Sequence, residues 1–169
     1  LGLRFSAGKV DVRRIPMSMK VRSELERRCI ILYTGQSRIS GDTITAVLDA
    51  YRNKNAAVLG ALARIRELAE QMADALAAGN IDLLANLVGE QWIQQRSLHP
   101  AIPTPRIDEI IERAKEAGAI GSKALGASGG GCVLVIARSD RVKQVRDAIE
   151  TLGDVLSFTV ANEGVERCE

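Results

Sequence analysis

Residues 118–137 read GAIGSKALGASGGGCVLVIA, a glycine-rich stretch that runs directly into a continuous apolar segment. The apolar segment, Cys132 to Ala137, is typical of a strand that is buried on both faces. After it, Ser139 to Leu152 has the apolar spacing of a helix and is closed by Gly153. Asp154 to Ala161 then alternates between apolar and polar residues, as a strand with one solvent-facing side does. The end of the chain is therefore predicted to form a strand, a helix and a strand.

The middle of the chain has a helical period. Apolar residues recur there at steps of three and four, and glycine or proline marks the boundaries. Three helices are predicted. The first has an apolar stripe from Val58 to Leu76 and ends at Gly79. The second begins near Ile81, includes Trp92 and stops before Pro100, and the third begins at Thr104 and Pro105 and ends at Gly118.

Two strands are predicted before these helices. Lys9 to Ile15 alternates between polar and apolar residues, and Cys29 to Tyr33 is a continuous β-prone run. The complete order predicts an α+β fold: a ferredoxin-like, four-stranded antiparallel sheet with helices on one face and a multi-helix insertion. No repeat or low-complexity linker divides the sequence, so residues 1–169 are treated as one domain.

The composition excludes several classes of protein. Hydrophobic residues make up 46% of the 169 residues and charged residues 26%, which excludes a disordered chain. The 23 basic and 21 acidic residues nearly cancel and are interspersed, so we expect no nucleic-acid and no membrane partner. Cys29, Cys132 and Cys168 are far apart, and no apolar stretch reaches ~18 residues. We therefore expect neither disulfides nor a zinc site, and a cytoplasmic location.

The glycine run is the strongest candidate for a binding loop. Four of the six residues from 126 to 131 are glycine, which suits a backbone that must adopt positive φ or approach a ligand closely. Backbone amides left free in such a loop can hold phosphate oxygens, although a flexible or bulged turn would use the same residues. The loop is neither a Walker A loop nor a dinucleotide fingerprint, because Lys123 precedes the glycines and the order is helix to strand.

The same stretch resembles the third conserved motif of the GHMP kinases, the group of galactokinase, homoserine kinase, mevalonate kinase and phosphomevalonate kinase. That motif runs approximately G-A-x-G-x-K-x-x-G-A-G-G-G-G. Leu98 to Ile111 (L-H-P-x-I-x-T-P-x-I-D-E-I-I) and Leu32 to Ser40 (L-Y-T-G-x-x-R-x-S) further resemble the D-glycero-D-manno-heptose 7-phosphate kinase branch. One departure is Ser128, where the family usually has glycine. Its hydroxyl would either add a hydrogen-bond donor or only occupy space.

The resemblance implies a GHMP kinase C-terminal domain whose glycine loop lies at a domain boundary, near the nucleotide phosphates and the phosphoryl acceptor. Lys123 occupies the basic position of the motif and either neutralises phosphate charge or is a solvated lysine. Arg38 follows a buried strand and is suited to bidentate phosphate contact, or is a surface arginine. The loop residues implied by the motif are Gly126, Ala127, Ser128, Gly129, Gly130 and Gly131.

The resemblance also implies which parts of a kinase this sequence lacks. The ATP-binding segment of the family, P-x-x-x-G-L-G-S-S-A, does not occur in residues 1–169. The family takes its catalytic aspartate and lysine, and its Mg²⁺ ligands, from an N-terminal domain. We therefore expect no catalytic and no metal-binding residue here, and an N-terminal ATP-binding domain that is missing before Leu1. The implied partners are that domain, ATP with Mg²⁺, and a sugar phosphate.

Three functions are compatible with the sequence. The first is the C-terminal half of an ATP-dependent kinase that acts on a sugar phosphate hydroxyl, best D-glycero-D-manno-heptose 7-phosphate, and that is inactive by itself. The second is a stand-alone ferredoxin-like module that binds an anionic metabolite without catalysis. The third is a homodimerisation domain that uses the stripe from Val58 to Leu76. The single histidine, His99, is either a local hydrogen-bonding residue or a substrate contact.

Overall fold

The computed structural model describes residues 1–36 and 41–161. These residues form six strands, six α-helices and one 3₁₀ turn. None of the described helices is long and apolar enough to cross a membrane. In chain order the elements are β1 Gly2–Ser6, β2 Lys9–Arg13, α1 Met19–Arg28, β3 Cys29–Tyr33, α2 Gly41–Arg52, α3 Ala56–Ala77, α4 Ile81–Ser97, α5 Pro105–Ala117, β4 Ala119–Ala124, β5 Cys132–Ala137, α6 Val142–Ile149, the 3₁₀ turn Glu150–Leu152 and β6 Asp154–Leu156.

The main sheet has four antiparallel strands in the order β4-β5-β3-β6. In the central pair, Cys29 lies opposite Ile136 and Tyr33 lies opposite Cys132. Helices connect β3 to β4 and β5 to β6, so the two halves have the βαββαβ order of a ferredoxin-like sheet. The predicted α+β class, a four-stranded antiparallel sheet with a multi-helix insertion, is confirmed.

The membership of this sheet differs from the prediction. Lys9 to Ile15 was expected to join it, but its strand, β2, instead pairs with β1 in a separate hairpin. The fourth strand of the main sheet is β4, which was not predicted and lies within the glycine-rich stretch. Gly121 of this strand has to be glycine because α4 lies directly against it: a Cβ there would overlap the carbonyl oxygen of Ala85. The last strand also ends earlier than predicted, at Leu156.

Helices cover both faces of the sheet, so the expectation of helices on one face is wrong. Successive residues of β5 point to opposite faces, and Val135 and Ile136 accordingly belong to different cores. One core joins the sheet to α5 and α6, and the other joins it to α1 and α4. The first contains Ile30, Leu32, Ile107, Ile110, Val133, Val145 and Ile149, and the second contains Cys29, Ile81, Ala85 and Val88.

The helix boundaries follow the signals in the sequence. The Thr104 hydroxyl accepts a hydrogen bond from the Ile107 amide at 3.2 Å, Pro105 occupies the first turn of α5, and Gly118 ends the helix at φ 111°. The face of α3 that packs on α4 differs from the predicted stripe: Leu68 and Ala75 pack with Leu87 of α4. Of the stripe itself Val58 is buried, Ala69 is exposed, and the others, Leu62, Ile65, Met72 and Leu76, are partly exposed. The predicted stripe is thus only partly covered within the chain, and a dimer formed through this helix stays a prediction.

The β1–β2 hairpin turns its apolar face to solvent. Leu3, Phe5, Val10 and Val12 lie on one face, since Leu3 is opposite Val12 and Phe5 is opposite Val10, and each is more than half exposed. On the other face, Arg4 and Arg13 both pair with the carboxylate of Glu70 on α3. Exposed apolar patches of this kind usually mark a surface that another protein covers.

We predict that the 169-residue chain self-associates through this apolar hairpin face. Phe5→Lys should shift the chain toward the monomer in sedimentation velocity, because a charge in the centre of the face disfavours its burial. Met19→Lys is the matched control, since Met19 is 77% exposed but lies outside the hairpin. A wild-type chain that stays monomeric at high concentration would contradict the prediction.

Cys29 is buried in the core between the sheet and α4, and we predict that it is unreactive in the folded protein. Burial raises the pKa of its thiol from 9.0 to about 11, against a smaller opposite effect of the Arg28 charge. Since the thiolate is the reactive form, iodoacetamide at pH 8 should modify Cys29 only after denaturation. Peptide mass mapping of native and denatured samples checks this, and equal labelling in both would contradict it.

The raised pKa of Cys29 also predicts how stability depends on pH. As the pH rises, the thiol of the unfolded chain loses its proton before the buried thiol does. The contribution of Cys29 to the free energy of unfolding is therefore complete below about pH 9 and is lost as the pH rises toward 11. Urea unfolding of wild type and Cys29→Ala between pH 8 and 10.5 should show a steeper decline in the wild type.

Candidate functional site

The glycine loop, residues 125–131, connects β4 to β5 at one end of the sheet. Its base is closed by a hydrogen bond from the Leu125 amide to the Cys132 carbonyl at 2.8 Å. Five of its residues have positive φ, a region that glycine adopts easily and other residues do not. They are Gly126 (73°), Ser128 (71°), Gly129 (88°), Gly130 (156°) and Gly131 (83°). The glycine run is therefore required by the backbone path itself.

The connection between α4 and α5 holds the centre of the loop. The Ile102 carbonyl accepts two hydrogen bonds, from the Gly129 amide at 3.0 Å and from the Ser128 hydroxyl at 2.6 Å. Ser128 is buried and its hydroxyl donates to the interior of the protein, which answers whether this residue adds a donor or only occupies space. This bond helps to hold a non-glycine residue at positive φ, which otherwise costs free energy.

The segment after β3 holds the far end of the loop. The Gly131 amide donates to the Gln36 carbonyl at 2.7 Å, and the Gly131 carbonyl accepts from the Thr34 amide at 2.9 Å. Thr34 is itself buried. The described part of the Leu32 to Ser40 segment, residues 32–36, therefore meets the glycine loop in the fold.

Helix α4 holds the near end of the loop. The side-chain nitrogen of Gln95 donates to the Gly126 carbonyl at 2.9 Å. The sequence reading did not identify Gln95. Its signal was a polar residue three positions after Trp92, on the apolar stripe of the helix, and both side chains are buried.

Three loop amides are left over after these bonds. Among residues 1–36 and 41–161, the N–H groups of Gly126, Ala127 and Gly130 form no hydrogen bond. Gly126 is exposed, and Ala127 and Gly130 are partly exposed. Rigid backbone with unpaired amides that solvent can reach is suited to bind an anion such as a phosphate group.

Lys123 lies on β4, two residues before the loop begins. It is opposite Leu134 in the sheet, so its side chain lies on the same face of the sheet as Leu134, the face that α4 covers. Burial lowers the pKa of its ammonium group below the ordinary 10.5. No carboxylate of the described residues pairs with it. Lys123 is therefore a half-buried lysine near the loop and not a fully solvated one.

The other candidate residues have simpler positions. The His99 ring nitrogen Nδ1 accepts from the Ala101 amide at 3.2 Å, which matches the local hydrogen-bonding role. Arg38 lies outside the described residues. The described residues contain no group of three or more acidic, histidine or cysteine side chains that could hold a metal ion. A groove lies between the β1–β2 hairpin and α3, and none of its lining residues belongs to the glycine loop.

Comparison with known proteins identifies the domain. Residues 72–155, which include the glycine loop, match the sequence profile of the family described as GHMP kinases C terminal. The bifunctional fucokinase/GDP-fucose pyrophosphorylase of Arabidopsis thaliana is 26% identical over 156 residues, which are 88% of this chain and 15% of that protein. The D-glycero-alpha-D-manno-heptose 7-phosphate kinase of Campylobacter jejuni is 24% identical over 159 residues, which are 94% of this chain and 46% of that protein.

Solved structures agree on the fold. The mevalonate kinase of L. major in complex with R-mevalonate has a TM-score of 0.72 and 16% identity, over 88% of this chain and 44% of that one. Streptococcus pneumoniae phosphomevalonate kinase in complex with phosphomevalonate and AMPPNP has a TM-score of 0.62 and 20% identity, over 74% of this chain and 36% of that one. The chain thus spans less than half the length of each of these relatives. With the family profile, the curated relatives and the fold in agreement, this chain belongs to the GHMP kinase family and carries its C-terminal domain.

Proposed function

We propose that this chain is the C-terminal half of an ATP-dependent kinase that transfers the γ-phosphoryl group to a hydroxyl of a sugar or sugar phosphate. The observation that carries the proposal is the glycine loop, with the unpaired amides of Gly126, Ala127 and Gly130 on a backbone held from three sides. Phosphoryl transfer depends mainly on positioning and on stabilisation of phosphate charge, which such amides supply.

Lys123 has a supporting part in this proposal. Its partly buried ammonium group lies on the strand that leads into the loop. A cation that is already desolvated interacts more strongly with a nearby phosphate than a solvated one does. Arg38, which the sequence motif suggests as a second phosphate contact, remains part of the proposal on that ground alone.

The partner in this proposal is an N-terminal domain that binds ATP and Mg²⁺. On the ground of the family resemblance alone, we assign Mg²⁺ and the catalytic residues to that domain. The exposed apolar face of the β1–β2 hairpin is consistent with an extended contact to another domain. We also propose that the protein is cytoplasmic.

For the acceptor we propose D-glycero-D-manno-heptose 7-phosphate. Its support is the alignment with the Campylobacter kinase over 94% of this chain and the match to the L-H-P-x-I-x-T-P and L-Y-T-G-x-x-R-x-S segments. The fucokinase and mevalonate kinase relatives define the competing acceptors.

A coupled ADP-release assay with the two-domain enzyme tests the acceptor. Heptose 7-phosphate, fucose and mevalonate are supplied separately at equal concentration with MgATP. We expect kcat/KM for heptose 7-phosphate to exceed the other two by at least about 10²-fold, as the loss of a bound phosphate group would cause. A higher value for fucose or mevalonate would reassign the acceptor, and no ADP release with any of them would reject the sugar kinase.

A further inference from the structure

Gln95 is a polar residue on an otherwise apolar face of α4. Ile81, Ala85, Val88, Trp92 and Gln95 follow one another at steps of four and three, and all five side chains are buried. Burying a carboxamide costs free energy unless its nitrogen and oxygen are hydrogen-bonded. The hydrogen bonds of the Gln95 carboxamide therefore explain why a polar residue, and not an apolar one, occupies this position.

Both ends of the Gln95 carboxamide are bonded, which fixes its orientation. The oxygen accepts from the side-chain nitrogen of Gln91, one helical turn earlier, at 3.2 Å. The nitrogen is thereby turned to the loop and donates to the Gly126 carbonyl at 2.9 Å. The pair of glutamines acts as a support that reaches from the helix to the loop.

The bond to Gly126 determines where the next amide points. In a trans peptide unit the C=O and the following N–H lie on opposite sides, and the described residues contain no cis peptide bond. Since the Gly126 carbonyl is held toward α4, the Ala127 N–H must point away from it. This N–H is one of the three loop amides without an acceptor among the described residues.

We propose that Gln95 is a positioning residue that fixes the direction of the Ala127 N–H and thereby sets the affinity of the glycine loop for phosphate oxygens. The second half of this statement rests on the proposed function. Ser128 and Gly131 hold other parts of the loop, but among the described residues only Gln95 forms a hydrogen bond with the peptide unit between Gly126 and Ala127.

Two substitutions remove the donor while keeping the helix. Gln95→Met has nearly the same length and stays compatible with a buried helical position, and Gln95→Leu is the second variant in case the first does not fold. The matched control is Gln94→Met, which makes the same chemical change one residue earlier and therefore on another side of α4.

The first measurement follows the direction of the amide without any ligand. Residual dipolar couplings of the ¹⁵N-labelled chain report the orientation of each N–H relative to α4. We expect the Ala127 coupling to change in Gln95→Met and Gln95→Leu and to keep its wild-type value in Gln94→Met. An unchanged Ala127 coupling in a folded Gln95 variant would overturn the proposal.

The second measurement follows binding, with inorganic pyrophosphate as the probe. In the wild type, the amide resonances of Gly126, Ala127 and Gly130 should shift on titration, and Gln95→Met should raise the dissociation constant about fivefold to tenfold. An altered amide direction with unchanged affinity would overturn the link to binding. If the wild-type loop does not respond to pyrophosphate at all, the phosphate-binding function fails, while the couplings still decide whether Gln95 positions the loop.

Discussion

Gly121→Ala is expected to destabilise the fold strongly, whereas the same substitution at Gly60 is not. A Cβ at this position would overlap the Ala85 carbonyl oxygen, and a Cβ built at Gly89, one turn later in α4, would lie 3.7 Å from the Gly121 Cα. Helix α4 would have to move away from β4, and with it the core of Ile81, Ala85 and Val88. We expect a loss of more than about 3 kcal/mol in the free energy of unfolding, measured by urea titration.

The control for Gly121→Ala is the same substitution at a glycine that has free space around it. Gly60 lies inside α3, and a Cβ there would meet no atom within 4 Å. Gly60→Ala should leave the fold intact and stabilise it by about 0.5–1 kcal/mol through helix propensity. If Gly121→Ala changes the free energy of unfolding no more than Gly60→Ala does, that result would contradict the close packing of α4 on β4.

Replacing the Ala127 amide by an ester should have the largest effect on activity. The replacement exchanges one N–H for oxygen and leaves the side chain unchanged, so it removes a single donor from the loop. We expect kcat of the two-domain enzyme to fall by about 10²-fold, as happens when one donor to a developing negative charge is lost. The unfolding midpoint of the chain should change little, because this N–H has no acceptor among the described residues.

The same ester at Gly8 is the control for the Ala127 replacement. Gly8 lies in the turn of the β1–β2 hairpin at φ 73° and has no atom within 4 Å of a built Cβ. Its replacement should leave kcat unchanged. Equal activity of the Ala127 ester and the wild type would exclude this amide from the reaction.

The elements that local signals define could be predicted from the sequence. Helix α5 begins at Pro105 and ends before Gly118 because a side-chain cap and a left-handed glycine act within one turn of the chain. The buried strands β3 and β5 were also predicted at their observed bounds, since each is a short continuous apolar run between breakers.

The elements that distant contacts define could not be predicted in the same way. Ala119–Ala124 is rich in small residues with weak strand preference, and it becomes β4 because β5 pairs with it and α4 needs Gly121 to approach. Lys9–Arg13 was predicted as a strand, but alternation does not reveal its partner, which is β1. The glycine loop was found from its residues, whereas Gln95 needed the fold.

Transfer of ³²P from [γ-³²P]ATP by the two-domain enzyme tests the central claim most directly. With D-glycero-D-manno-heptose 7-phosphate present, we predict that label appears in the acceptor with the wild-type chain and about 10²-fold more slowly with the Ala127 ester. Label transfer at the same rate with both forms would contradict a phosphate-binding role for the glycine loop, and no transfer to any sugar, sugar phosphate or mevalonate would contradict the kinase itself.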